Sequence, residues 1–240
     1  MPKPPSRLAE IKFFHGWAYQ ADSWQSWRAR LSGGANALEF YDRGYFGNPK
    51  EISPFLEGDH HKVVIAHSLG LHFISAEILK DAQWIAMIGS FKHFHEFGGD
   101  SRTSLATTRA MRNRLAKNPV KQLSDFYKQS GDDLIHSFEP QPNIELLAED
   151  LHLLDRSHYN VESHPTNAST LLLHGQADLI ANSLNASAFC KLLPATSLCI
   201  HPSANHALPF AEFDWCLQQL AKFCPEVFSS DHSRTVSHAG

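Results

Sequence analysis

Three residues of this chain have the types and surroundings that nucleophilic catalysis needs: Ser68, Asp178 and His206. Ser68 lies in Lys62-Val63-Val64-Ile65-Ala66-His67-Ser68-Leu69-Gly70-Leu71. There a β-branched run enters a small-x-Ser-x-Gly turn, and a helix-compatible stretch, Leu71 to Lys80, follows. Such a turn brings backbone close to its neighbours, so it needs small residues, and it lifts the hydroxyl clear of the strand. The next N–H, that of Leu69, then stands at a helix start, where it can stabilise an oxyanion. A serine nucleophile also needs a base to take its proton and an acid to hold that base in the right tautomer. Asp178 suits the acid, in His174-Gly175-Gln176-Ala177-Asp178 just past an apolar run. His206 suits the base, in His201-Pro202-Ser203-Ala204-Asn205-His206-Ala207. His201 is its rival, but it would lie at the strand end itself. His15-Gly16-Trp17 adds a second oxyanion donor, the Trp17 N–H, beside a glycine that lets backbone approach a carbonyl.

These residues need strands that stop just short of them. Ile11 to Phe14, Ala37 to Tyr41, Val63 to Ile65, Trp84 to Gly89, Thr170 to Gly175 and Ser197 to His201 read as strands. Asp22 to Leu31, with Asp22 as N-cap, Leu71 to Lys80, Asn182 to Leu193 and Phe210 to Phe223 read as helices between them. Residues 48–61 show only a short segment around Ile52 to Leu56. Alternation of this kind implies an α/β fold with a doubly wound, mostly parallel sheet, its strands buried on both faces. Active residues of such sheets lie past the carboxyl ends of the strands. The alternation stops after Ser90. Residues 91–165 read as a helical insertion with helices Ser101 to Leu115, Val120 to Gln129 and Ile144 to Leu154. The core thus divides into 1–90 and 166–228, and a polar tail, 229–240, is expected to be disordered.

At 240 residues, 42% of them hydrophobic and 19% charged, the chain can bury a full core. A net charge of −4 argues against nucleic acid as a partner. No apolar run approaches the roughly 20 residues that span a bilayer. Met1 to Glu10 holds three prolines and no apolar core, so no signal peptide and a cytoplasmic location are expected. The four cysteines, Cys190, Cys199, Cys216 and Cys224, form no CxxC pair and are expected to be reduced. Among the 16 histidines, His60-His61 and His93-x-His95 come nearest to ligand pairs. Neither has zinc-site spacing, so no metal and no other cofactor is expected, and the histidines are expected in loops or at the surface.

Taken together, Phe13-Phe14-His15-Gly16-Trp17, Tyr41-Asp42-Arg43-Gly44-Tyr45-Phe46-Gly47, Ala66-His67-Ser68-Leu69-Gly70 and Ala204-Asn205-His206-Ala207 resemble the α/β-hydrolase superfamily. Within it they look like the biotin-pathway carboxylesterases, which cleave the methyl ester of pimeloyl-acyl carrier protein. The resemblance covers about residues 10–225. It implies Ser68 as nucleophile, His206 as base, Asp178 as acid, and the Leu69 and Trp17 N–H groups as oxyanion donors. Two departures stand out: the usual leading hairpin is missing, and 48–61 is short for a crossover helix. Ala66 also replaces the commoner first glycine.

The insertion bears on substrate. Between Ser101 and Ser124 lie Arg102, Arg109, Arg112, Arg114, Lys117 and Lys121, with no acidic residue. Such a patch can steer an acidic partner, and acyl carrier protein is one; a solvated helix face is the plainer alternative. Trp17, Phe91, Phe94, Leu105 and Phe126 are expected to line an acyl pocket. Three readings compete: an esterase served by an acidic carrier, a small-molecule carboxylesterase or C–C bond hydrolase, and a noncatalytic receptor of the same fold. A receptor has no need of the base.

Overall fold

The computed structural model describes residues 9–32, 36–95, 101–132, 138 and 140–229. The expectations for the first eight residues and for the tail beyond Ser229 lie outside this range. Six parallel strands form one sheet: β1 (Ala9–Phe14), β2 (Ala37–Phe40), β3 (His61–His67), β4 (Trp84–Ile88), β5 (Ser169–Gly175) and β6 (Thr196–His201). Their order is β2-β1-β3-β4-β5-β6, with every neighbouring pair parallel.

Side chains alternate across a strand, and here both faces are apolar. Ile11, Phe13, Val63, Ile65, Ala86, Ile88, Leu171 and Leu173 point to one face. They pack against α1 (Gln25–Leu31), α8 (Phe213–Phe223) and α9 (Pro225–Phe228) through Trp24, Trp27, Leu220 and Phe228. Phe14, Val64, Ala66, Ile85, Met87 and Leu172 point to the other face. There they meet α2 (Ala76–Asp81) and α6 (Ser183–Cys190) through Ile78, Leu79 and Phe189. Each Val, Leu, Ile, Phe or Met among them, fully buried, contributes about 1.5–3 kcal/mol. All four cysteines are free, two of them buried.

The structure corrects several element expectations. Asp22 is not the N-cap of a continuous helix. A 3-10 turn, Ala21–Trp24, capped by Gln20, precedes α1, and its Ala21 N–H donates to Asp42 Oδ2 at 2.9 Å. The stretch after Ser68 is likewise divided, into a 3-10 turn, Ser68–Phe73, and α2. Ile74 and Ser75 are extended between them, and the Ser75 hydroxyl accepts the Ile78 N–H to begin α2 afresh. The last long helix breaks at Glu212, between α7 (Leu208–Ala211) and α8.

No helix forms between β2 and β3; residues 51–60 run irregularly beside the sheet. A buried polar cluster supports them. Lys12 is fully buried and donates to Glu10 Oε1 at 2.6 Å and to Glu39. The other Glu10 oxygen accepts the Leu56 N–H at 3.1 Å and pairs with His60 at 3.2 Å. Backbone of an irregular segment must find partners when it lies against a sheet, and Glu10 provides one.

Three helices, α3 (Ser101–Lys117), α4 (Pro119–Ser130) and α5 (Ile144–Arg156), lie between β4 and β5 in the chain. They form a third apolar cluster over the carboxyl ends of the strands, joining Leu115, Leu123, Phe126 and Leu151 to Trp17, Tyr19 and Leu69. Polar ties fasten this lid. Arg43 forms a bidentate pair with the buried Asp150 of α5, at 2.7 and 2.9 Å, and Tyr45 donates to the same carboxylate at 2.7 Å. Trp17 Nε1–H donates to the Leu147 carbonyl at 2.8 Å, and the Tyr127 hydroxyl donates to the Ala18 carbonyl. No described helix is long and apolar enough to cross a membrane.

Candidate active site

Ser68 directly follows β3 and has φ +53°, a left-handed conformation that a side chain disfavours. Close packing imposes it. A Cβ on Gly70 would lie 2.4 Å from the Phe14 carbonyl oxygen, so only glycine lets the turn nest against the end of β1. A Cβ on Gly16 would come within 2.8 Å of Ser68 Cβ, which places the His15-Gly16-Trp17 loop directly beside the serine.

Asp178 lies three residues past β5 and His206 five past β6. The structure brings them to Ser68. His206 Nε2 is 2.9 Å from Ser68 Oγ, and His206 Nδ1 is 2.8 Å from Asp178 Oδ2. Asp178 Oδ1 accepts the N–H groups of Ile180 and Ala181, each at 2.8 Å. Burial opposes ionisation of Asp178, but His206 and the hydrogen bonds from His174 and His206 outweigh it. They hold the carboxyl well below the usual range. His206 Nδ1–H therefore faces a carboxylate, which leaves Nε2 free to accept a proton from Ser68. His201 takes another place: its Nδ1 accepts the Ala204 N–H at 2.9 Å, and its ring meets Trp215.

No family model matches the chain, and no curated protein does. Solved structures do. An esterase from Exiguobacterium antarcticum superposes with a TM-score of 0.70 at 13% identity, over 90% of this chain and 91% of that one. A thermophilic esterase from Thermogutta terrifontis gives 0.63 at 15%, over 92% and 91%. A bromoperoxidase from Bacillus anthracis gives 0.66 at 17%, over 91% and 92%. The chain has the α/β-hydrolase fold.

In this α/β-hydrolase fold Ser68 opens onto a cavity of about 400 Å3 under the lid. Trp17, Leu69, Phe94, Phe126 and His206 line it, with Met111, Leu151, Leu154, Leu179 and Ile180. Thr103, Ser104, Thr107 and Thr108 of α3 and Gln129 also line it, and among the described residues no Asp, Glu, Lys or Arg does. Two expected pocket residues are elsewhere. Phe91 is fully buried behind Phe94, with ring centroids 5.2 Å apart, and its carbonyl accepts from His72. Leu105 is 38% exposed, because α3 turns its hydroxyl-bearing face to the cavity. The spacing of 103, 104, 107, 108 and 111 was the helical signal that could have revealed that face.

The basic stretch on the lid is less free than its sequence implies. Arg112 donates to Asp155 Oδ2 at 2.6 Å and is turned inward, in a group that also joins Thr108 and His95. Arg114 donates to Gln122 at 2.6 Å, and Lys121 pairs with Asp125 at 2.9 Å. Arg102, Arg109, Arg114, Lys117 and Lys121 are nonetheless exposed, and of the six only Arg112 is half-buried.

The histidines are also not confined to loops and surface; His15, His67, His95, His164, His174 and His206 are buried. Among the described residues no three His, Cys, Asp or Glu side chains converge as metal ligands would; His93 instead stacks on His158 at 4.0 Å. His15 steadies the His15-Gly16-Trp17 loop: Nδ1–H donates to the Gly16 carbonyl, and Nε2 accepts the Arg43 N–H at 3.0 Å. His67 Nε2–H donates to the His206 carbonyl at 3.0 Å.

Burial lowers the pKa of His15, and that of His67 well below its usual value, and pushes His72 and His164 down to about 4. Unfolded, all four titrate near 6.5. Between about pH 6.5 and 4 the unfolded chain binds more protons, so stability falls as pH falls through this window. Urea midpoints at pH 7.5 and 5 should differ accordingly; equal midpoints would mean these histidines are not held neutral.

Proposed function

We propose that this protein is a serine carboxylesterase acting on esters whose acyl part is uncharged. The observation that carries this reading is the hydrogen-bond chain Ser68–His206–Asp178 at the floor of an apolar cavity. Ser68 Oγ attacks the ester carbonyl as His206 Nε2 takes its proton. The developing oxyanion lies toward the N–H groups of Leu69 and Trp17, and the Asp178 carboxylate stabilises the imidazolium. His206 returns the proton to the departing alkoxide, and water cleaves the acyl-enzyme by the same steps.

The cavity wall supports the limit on charge. A carboxylate at the end of an acyl chain would lose its water and find no Lys or Arg among the described lining residues, at a cost of several kcal/mol. A neutral ester end suits it, and the carboxylate product is then poorly held. The narrower reading is pimeloyl-acyl carrier protein methyl ester in biotin synthesis. It rests on the sequence resemblance and on the exposed Arg109 and Lys117. The inward turn of Arg112 favours the second reading, a small-molecule carboxylesterase.

One set of substrates tests all of this. p-Nitrophenyl butyrate should be cleaved at least about 10-fold better in kcat/KM than p-nitrophenyl hemisuccinate, since tenfold requires only about 1.4 kcal/mol. Equal rates would contradict the uncharged pocket. A carrier-linked pimelate methyl ester should lose rate with rising salt, and after replacing Arg109 and Lys117 by Glu, if the carrier docks on the lid. Indifference to both would leave the small-molecule reading.

A further inference from the structure

Gly131 caps lid helix α4: its N–H and that of Asp132 satisfy the Lys128 and Tyr127 carbonyls, which leaves the Gln129 and Ser130 carbonyls to partners outside the helix. Two residues flanking His206 supply what is missing. Asn205 Nδ2–H donates to the Gln129 carbonyl at 3.0 Å, and the Ala207 N–H donates to the Ser130 carbonyl at 2.8 Å. The same Asn205 side chain faces the opposite way with its oxygen. Oδ1 accepts the N–H of His206 at 2.8 Å and the N–H of Leu179, the residue after Asp178, at 3.0 Å. Packing is close as well: a Cβ on Gly131 would lie 2.7 Å from Asn205 Cβ.

From this arrangement we infer that Asn205 is a positioning residue that fastens the base loop to the acid loop with its oxygen and to the lid with its nitrogen. The inference rests on the esterase reading, because the geometry it maintains is that of His206 against Asp178 and Ser68. The physical case has two parts. His206 lies in a loop, and its ring can meet both neighbours only if its backbone is held. Its carbonyl is held by His67 and its N–H by Asn205. Leu179 is bound to the same oxygen, so the acid and base loops cannot separate without breaking that shared acceptor. The amide nitrogen then makes the seating of α4, which contributes Phe126 and Gln129 to the cavity, part of the same unit.

The two halves of the amide can be separated. Asn205→Asp keeps an oxygen for both N–H groups but sets a second oxygen against the Gln129 carbonyl, which loosens the end of α4 while the Ala207–Ser130 bond remains. Asn205→Ala removes both connections. Three measurements on the full chain read the outcome: inactivation by a fluorophosphonate, kcat and KM for p-nitrophenyl acetate and octanoate, and hydrogen exchange at residues 128–132. The alanine variant should react with the fluorophosphonate at least about 10-fold more slowly, lose kcat on both esters by a similar factor, and exchange faster at 128–132. The aspartate variant should keep kcat for the acetate within about threefold, yet show a KM for the octanoate raised several-fold and the same faster exchange. Wild-type kcat in the alanine variant, or unchanged exchange in both variants, would overturn the inference. So would a uniform kcat loss in the aspartate variant, since its oxygen should suffice for the triad. If wild type itself ignores the fluorophosphonate, the esterase reading fails separately, and unchanged exchange in the alanine variant would still refute the clamp.

Discussion

Ser68→Ala should fold as wild type does and lose at least about 10³-fold in kcat. The serine is the one hydroxyl within hydrogen-bond reach of His206 Nε2 among the described residues. Without it the base has no proton to take and the ester carbonyl no nucleophile, while the cavity and oxyanion donors remain. Retention of more than a tenth of wild-type ester hydrolysis would remove Ser68 from the mechanism. The backbone gives a second expected result. At φ +53° Ser68 stores strain, which costs on the order of 1–3 kcal/mol for a residue other than glycine. Ser68→Gly should therefore be inactive yet more stable in urea, by about 1 kcal/mol. A less stable glycine variant would show that the turn is not strained.

Asp178→Asn should cost nearly as much, about 10³ to 10⁴ in kcat, the range expected when a triad loses its carboxylate. Oδ1 already accepts two N–H groups, so the new NH₂ would replace Oδ2. Oδ2 faces His206 Nδ1 at 2.8 Å and His174 Nε2 at 3.2 Å. A donor there would meet two donors. His206 can accept that NH₂ only by moving its proton to Nε2, the atom that must take the proton of Ser68. His206→Ala should match the serine variant. His201→Ala should stay within about threefold of wild-type activity and lose about 1 kcal/mol of stability, since it removes an acceptor for turn N–H groups. The reverse pattern, His201→Ala dead and His206→Ala active, would reassign the base.

Much of this was legible because strand ends are. Val63 to Ile65 before a small-x-Ser-x-Gly turn locates Ser68 without any long-range knowledge, and Asp178 and His206 follow from counting past two apolar runs. What stayed hidden depends on partners distant in the chain. Arg112 reads as part of a basic stripe, but Asp155, 43 residues later, turns it inward. Phe91 and Phe94 look equivalent until the fold puts one behind the other. The helix breaks at Ser75 and Glu212 came from local capping and packing that hydrophobic spacing does not report. Asn205 had no pattern to mark it, because its three partners belong to the lid, the acid loop and its own neighbour.

The cluster of Glu10, Lys12, Glu39 and His60 has a consequence for how the sheet assembles. Replacing such a buried ionic group with apolar side chains often stabilises a protein, so stability alone does not account for it. Register does. Lys12 stands opposite Glu39 in the β1–β2 pairing. A slip of β1 by one residue would turn Glu10 and Lys12 to the opposite face, against Trp24 and Trp27, where they would keep each other but lose Glu39, His60 and the Leu56 N–H. The mispaired sheet is thereby made far costlier than the correct one. Because β1 also carries His15 and Gly16 to Ser68, this proofreading at one edge of the sheet aligns the His15-Gly16-Trp17 loop with Ser68.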